Sequence, residues 1–390
     1  MVHSKLRSST SFNGQVGKGV VDLPLETISD ILTRLPIESI LICRVVCKSW
    51  YDLTRDPDFV RLQLSRSNYQ RTRFIIQPTI QGFANDFRLL LLDAEEHNIK
   101  QIPIEREVLK GAEIMCSCNG LLFIIPYFKL NPMVIYNPMT RQRLILPSLD
   151  CEVNVRPGEV RPTGFGFDLS TGRYKVVREY LKGGIGSNRF WILSVGESSW
   201  RKLSPPPLCL IHWTWYGSES VFWKGVLYWK MVKLNFQGYD EVGILAFDLS
   251  EEKFQIISFP QSYTNETSLD LLDLDGRLTL VAHEPDAIMK LWRLAGKKIG
   301  DFSFCLEQTY DTYVRWNKNL FCQVISRVNH NGYLLFVVLK KDGSIMTHVT
   351  KFFPQMAQYM HLDLPLIADC FGIHGFRPSL ECPVSASHLS

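Results

Sequence analysis

No apolar stretch of this chain is long enough to cross a bilayer. The longest, such as Leu121–Pro126 and Tyr333–Leu339, are the length of a β-strand. Excess charge of either sign is also missing. The 43 Lys and Arg against 39 Asp and Glu leave a net +4 over 390 residues, without the concentrated basic face that nucleic acid requires. The first residues, MVHSKLRSSTSFNGQVGKG, lack an apolar segment and any acid before Asp22, so they do not read as a secretory signal and are expected to be a disordered tail over 1–19. The ten cysteines are scattered and form no dense framework, which suits reduced thiols in a reducing compartment, with the cytoplasm, the nucleus or both as the expected location. Cys116-x-Cys118 has neither a second Cys pair nor a His at finger spacing, so no zinc site is expected.

Catalytic signatures are missing too. There is no G-x-S-x-G, no Walker loop and no H-E-x-x-H. Gly164-x-Gly166 lacks a third glycine and a following helix. Gly183-Gly184-Ile185-Gly186 reads as a loop tip, and His283-Glu284-Pro285-Asp286 as a turn. The expectation is a non-enzymatic chain with no cofactor and no metal.

What is present divides in two. The length exceeds one typical domain, and 46% apolar residues are enough for a sizeable core. A first unit is expected over 20–65, and Asp22 to Leu64 within it reads as helical. Asp22 is placed to cap a first helix, Pro24 fits its first turn, and Glu26 lies where the helix dipole favours negative charge. Ile28, Ile31, Leu32 and Leu35 follow at offsets 0, 3, 4 and 7, one helical stripe, and Pro36 ends the helix. Cys43, Val46, Cys47 and Trp50 repeat these offsets and predict a second helix over about 38–50. Asp56-Pro57-Asp58-Phe59 starts a third, with Phe59 and Leu62 to bury. So small a unit has more apolar surface than its own core needs, which suggests a partner. Packing on the rest of the chain is the plainer alternative.

Leu23-Pro24-x-Glu26-x-Ile28-x-x-Ile31-Leu32-x-x-Leu35-Pro36-Ile37-x-Ser39, then Val45-Val46-Cys47-Lys48-x-Trp50, then Asp56-Pro57-x-Phe59, resembles the F-box. The resemblance implies binding to the adaptor subunit of SCF ubiquitin ligases and, through it, to the cullin and RING subunits. By that likeness Leu23, Pro24, Ile28, Ile31, Leu32, Leu35, Pro36, Ile37 and Leu41 would face the adaptor. Val46, Cys47 and Trp50 would hold the motif's own core.

After a linker over 66–72 the pattern changes to short strands, read over 73–385, with a tail at 386–390. Gly120, Gly172, Gly225, Gly276 and Gly332 each precede a strand, at intervals of 51 to 56 residues. A second turn repeats as an apolar residue followed by Asp or Asn: at Leu92-Asp93, Tyr136-Asn137, Phe167-Asp168 and Phe247-Asp248. A period near 50 suits one four-stranded blade per repeat, hence a mainly-β, kelch-like β-propeller of about six blades. A pair of β-sandwiches with coincidentally spaced hairpins is the competing architecture. The order F-box, NGLL…YNP-T…LP, GFGFD…YKVV is similar to plant F-box proteins with an F-box-associated, kelch-like region.

The aromatic cluster after Pro205-Pro206-Pro207 offers Trp213, Trp215 and Tyr216 as target-binding candidates, with Arg189 from a separate loop. Trp213 and Trp215 would share one face of a strand, which suits core packing between blades as well as binding. The expected role is a substrate-recognition subunit holding a protein target for ubiquitination and proteasomal degradation. An enzyme or small-molecule sensor on a propeller, with the helices only packing, is the alternative.

Overall fold

The computed structural model describes residues 23–67, 73–78, 89–93, 98–102, 112–126, 132–149, 163–181, 188–206, 220–235, 238–259, 268–274, 277–283, 288–295, 303–311, 320–328, 333–340, 348–353, 358–362 and 370–383. Among the described residues four helices come first: α1 (Leu25–Leu32), α2 (Ile37–Cys43), α3 (Lys48–Leu53) and α4 (Pro57–Ser67). The sequence pattern predicts about three. The expected second helix is two, because the chain turns over Arg44–Val46 and is extended at Cys47. Two adjacent β-branched residues, Val45-Val46, weaken a helix at that point. The Arg44 guanidinium then bonds Thr54 Oγ1 at 3.1 Å and Thr54 O at 2.9 Å, fastening the end of α2 to the end of α3. The start of α4 follows expectation: Asp56 Oδ1 accepts from the backbone N–H of Asp58 and Phe59, with Pro57 in the first position. Phe59 is buried, but Leu62 points outward.

The β region contains β1 (Arg73–Pro78), β2 (Leu89–Asp93), β3 (Asn98–Ile102), β4 (Ala112–Cys118), β5 (Leu121–Pro126), β6 (Val134–Tyr136), β7 (Arg143–Ile145), β8 (Thr163–Asp168), β9 (Arg173–Leu181), β10 (Asn188–Ser194), β11 (Arg201–Lys202) and β12 (Val221–Trp223). It continues through β13 (Val226–Asn235), β14 (Gly238–Asp248), β15 (Lys253–Ile257), β16 (Ser268–Leu274), β17 (Arg277–His283), β18 (Ile288–Ala295), β19 (Ser303–Asp311), β20 (Leu320–Val328), β21 (Tyr333–Lys340), β22 (His348–Phe353), β23 (Gln358–Leu362) and β24 (Cys370–Phe376). Among the described residues these make six antiparallel four-stranded sheets. Five use four consecutive strands. The sixth is β24-β1-β2-β3, so the last described strand pairs with the first of the β region, Phe376 opposite Arg73.

Three of the glycine markers fall at the turn from the first to the second strand of a sheet. Asn119-Gly120 has φ of 49° and 77°, Lys224-Gly225 has 48° and 82°, and Gly172 has 65°. The first two are the left-handed pairs that let a two-residue hairpin follow the strand twist. Gly276 and Gly332 lie outside the described residues. The Asx turns are also one repeated structure. At Asn137, Asp168 and Asp248 the side-chain Oδ1 accepts from the backbone two residues on, and the carbonyl accepts from residue 141, 172 or 252. The residue at that fifth position always has positive φ.

The core is a series of layers between sheets. Phe123 and Phe165 stack between the second and third sheets, at 6.0 Å between ring centroids. The weak Gly164-x-Gly166 signal has its explanation in the next layer. Both glycines lie within β8, where a Cβ on Gly164 would meet Trp229 at 2.6 Å and one on Gly166 would meet Phe222 at 2.5 Å. They are small because the aromatics of the fourth sheet lie on them.

Candidate functional site

The apolar surface of the described chain is unevenly spread. Among the residues whose side-chain burial is described, eleven large hydrophobics are exposed, and eight of them belong to the helical unit: Leu23, Leu25, Ile31, Ile42, Val45, Val46, Tyr51 and Leu62. Such a concentration on so few residues marks an interaction surface.

The expected docking residues divide by burial. Leu23, Pro24, Ile31 and Pro36 are exposed, and Ile28, Leu35 and Leu41 are half-buried. Leu32 and Ile37 are not available: at 2% and 1% exposed they form the unit's own core with Ile40, Phe59 and Val60. The stripe reading fails there because α1 ends at Leu32, which leaves Leu35 off the helix, and because Ile31 and Leu32, about 100° apart around it, face solvent and core respectively. The expected core residues shift as well. Val46 is 62% exposed and Cys47 is exposed, since both fall in the break between α2 and α3. Trp50 is half-buried and packs on the helical core. The sequence pattern missed Ile42 and Val45. Their signal was the pair of β-branched residues at the break.

Polar contacts hold this unit together and fix it to the sheets. Arg66 Nη2 reaches Asp30 Oδ1 at 2.7 Å, joining α4 to α1. The hydrogen bonds from Arg34, and then from Arg66, keep the Asp30 carboxyl below its usual range. Arg73, at the start of β1, pairs with Glu38 of α2 and, at 3.3 Å, with Asp93 at the end of β2. The helical core also receives Leu380 from beyond β24, and Met139, from the turn after β6, packs against it.

Asp168, Lys175, Glu252 and Arg201 form a titratable cluster in the described β region. Lys175 Nζ lies 2.8 Å from Asp168 Oδ2 and 3.1 Å from Glu252 Oε1, and Arg201 reaches the same Glu252 oxygen at 2.7 Å. Burial alone would raise the Asp168 carboxyl. Hydrogen bonds from Lys175, Ser250, Ser170 and Thr171 outweigh it and hold the group far below the usual carboxylate range. A displaced pKa in a cleft would suggest chemistry. Here the carboxylate is fully buried, and its bond from Ser250, with the Lys175 bond to the Leu249 carbonyl, fastens the third sheet to the fourth.

Arg189 lies on β10, its backbone opposite Tyr180. Its side chain, and Trp213, Trp215 and Tyr216, lie outside the described residues. Among the described residues no group of three or more His, Cys, Asp or Glu is placed to hold a metal ion, and no helix is long and apolar enough to cross a membrane.

Two family profiles match. Residues 21–62 match the F-box domain, and residues 66–352 match the F-box associated beta propeller domain. Relatives in Arabidopsis thaliana include an F-box/LRR-repeat protein, 28% identical over 70% of this chain and 64% of its own length. A second F-box protein is 27% identical over 71% of this chain and 70% of its own length. F-box protein CPR1 is 24% identical over 82% and 78%. The match thus spans less than two thirds of the first of these relatives.

Proposed function

The chain belongs to the family of F-box proteins with an F-box associated beta propeller domain, and from that membership we propose that it is the target-recognition subunit of an SCF-type, cullin-RING ubiquitin ligase. In this reading the helices bind the SCF adaptor, and through it the cullin and RING subunits. The β domain holds a protein for ubiquitination and degradation, in the cytoplasm, the nucleus or both. The carrying observation is the gathering of exposed apolar side chains on the stretch that matches the F-box. Fully covering one such aliphatic contributes roughly 1.5–3 kcal/mol, so a handful suffices for a stable complex after the cost of association. No group of this chain forms the isopeptide bond. Its contribution is proximity, which raises the effective concentration of target lysines near the charged ubiquitin carrier.

We read the six sheets as six blades of a closed propeller. Supporting this, the first strand of each sheet lies against the first strand of the next, in the order β24, β4, β8, β12, β16 and β20, and β20 lies against β24. The test of the receptor reading is co-purification of adaptor and cullin with the full chain. Leu23→Ala with Pro24→Ala abolishes it. Unchanged capture by a variant that remains folded overturns the assignment.

A further inference from the structure

The residues after β24 touch both halves of the molecule. Ser379 is fully buried and Leu380 is 3% exposed. Ser379 Oγ donates to the Asn119 carbonyl at 2.6 Å, at the turn between β4 and β5. One amide nitrogen, Asn137 Nδ2 in the turn between β6 and β7, donates to the carbonyls of Ser379 at 3.0 Å and Glu381 at 2.8 Å. The Tyr174 hydroxyl at the start of β9 accepts from Asn119 Nδ2, in the turn between β4 and β5, at 3.2 Å. Gly120 leaves room for this path: a Cβ there would lie 2.5 Å from both the Arg377 carbonyl and Ser379 Oγ. From that polar anchorage Leu380 enters the helical core, against Leu32, Ile37, Ile40, Phe59 and Val60.

We infer that residues 377–382 are a strut that fixes the orientation of the helical unit on the β domain, with Asn137 and Leu380 as its positioning residues. The backbone connects α4 to β1 once. A single covalent link leaves two compact units free to swing unless a sizeable apolar contact forbids it. The strut adds a second attachment, polar at the β end and apolar at the helical end. Arg73, bonded to Glu38 and Asp93, pins a third point. The Asn137 turn also differs from its two repeats in this respect. At Asp168 and Asp248 the turn-capping side chain is a carboxylate, which offers no N–H to a strut. The purpose of the strut rests on the receptor reading: a fixed angle sets the separation between the adaptor and whatever the β domain holds.

The test is a distance distribution, measured by pulsed electron resonance on the full chain. Spin labels are carried on non-natural residues in place of exposed Lys48 in α3 and exposed Lys253 in β15. The wild-type chain gives one narrow distance. Asn137→Asp keeps the Oδ1 that caps its own turn but loses the donor to Ser379 and Glu381, and Leu380→Ala empties the helical end. Each loses the single narrow distance, whereas Asp248→Asn, at an equivalent turn without the strut, retains it. A broad wild-type distribution, or a narrow one in both strut variants, overturns the inference. Adaptor capture by the unlabelled wild-type chain is scored separately: its failure removes the receptor reading and leaves the distance result standing.

Discussion

Lys175 and Asp168 face each other across the first hairpin of the third sheet, 2.8 Å apart, with the carboxylate wholly out of solvent. The ammonium also donates to the Leu249 carbonyl at 2.7 Å, so one lysine joins its own hairpin to the turn of the next sheet. Removing one partner of such a pair leaves a buried charge uncompensated. Lys175→Met is expected to cost about 3–5 kcal/mol in denaturant unfolding, and Lys175→Met combined with Asp168→Asn distinctly less.

The same pair sets an acid limit. In the unfolded chain the Asp168 carboxyl titrates near 3.8, and in the fold well below. The unfolded state therefore binds the proton first as pH falls. The stabilisation is complete at neutral pH and is lost progressively below about pH 4. Unfolding midpoints followed from pH 6 to pH 3 should drop more steeply for the wild type than for Asp168→Asn.

Glu113 on β4 has the opposite sign. Burial raises its carboxyl from 4.5 to about 6. The folded state binds more protons between these values, so the stability of the protonated form is full below about pH 4.5 and lost as pH rises through 6. Glu113→Gln should stabilise at pH 7.5 by on the order of 1–2 kcal/mol and give no gain at pH 4.5, as read from thermal or urea unfolding.

Two glycines should respond differently to alanine. At Gly164 the added methyl meets Trp229 and Leu227 at 2.6 Å and 2.7 Å, an overpacked contact expected to cost about 1–3 kcal/mol. At Gly172 the space is open and only the φ of 65° opposes the change, at about 1 kcal/mol. Equal destabilisation of the two variants would show that the layer between the third and fourth sheets repacks freely.

The helical surface gives a paired prediction. Ile42→Asp and Val46→Asp alter exposed positions, so melting temperature should hold while adaptor capture falls. Leu32→Asp and Ile37→Asp place a charge in the helical core and should unfold that unit. Loss of stability with Val46→Asp would restore that residue to the core.

What could be read from the sequence was what local chemistry dictates. Gly120, Gly172 and Gly225 mark hairpins because their backbones need positive φ, and Asn137, Asp168 and Asp248 mark turns because their side chains cap the backbone beside them. The helices were visible from period and from Asp56-Pro57, but their inner and outer faces were not. Offsets of 0, 3, 4 and 7 fit Cys43 to Trp50 equally well whether the chain stays helical or breaks at Val45-Val46, and only packing decides. Leu380 gave no local sign of its place, because what it completes is built from residues at the other end of the chain. Gly164 and Gly166 looked like half a nucleotide motif because close backbone approach, to phosphate or to tryptophan, makes the same demand for a missing side chain.

The pairing of β24 with β1 also bears on the order in which the molecule is made. During translation β1 leaves the ribosome well before its neighbour β24, with the other strands of the β region made in between. Until then the ladder edge of β1 stays open to a chaperone or to another nascent chain. A product cut short before Cys370 would have no β24, no Leu380 in the helical core and no anchor for Asn137. The helical core, although its helices are made first, is thus completed only once the chain has been synthesised through Leu380.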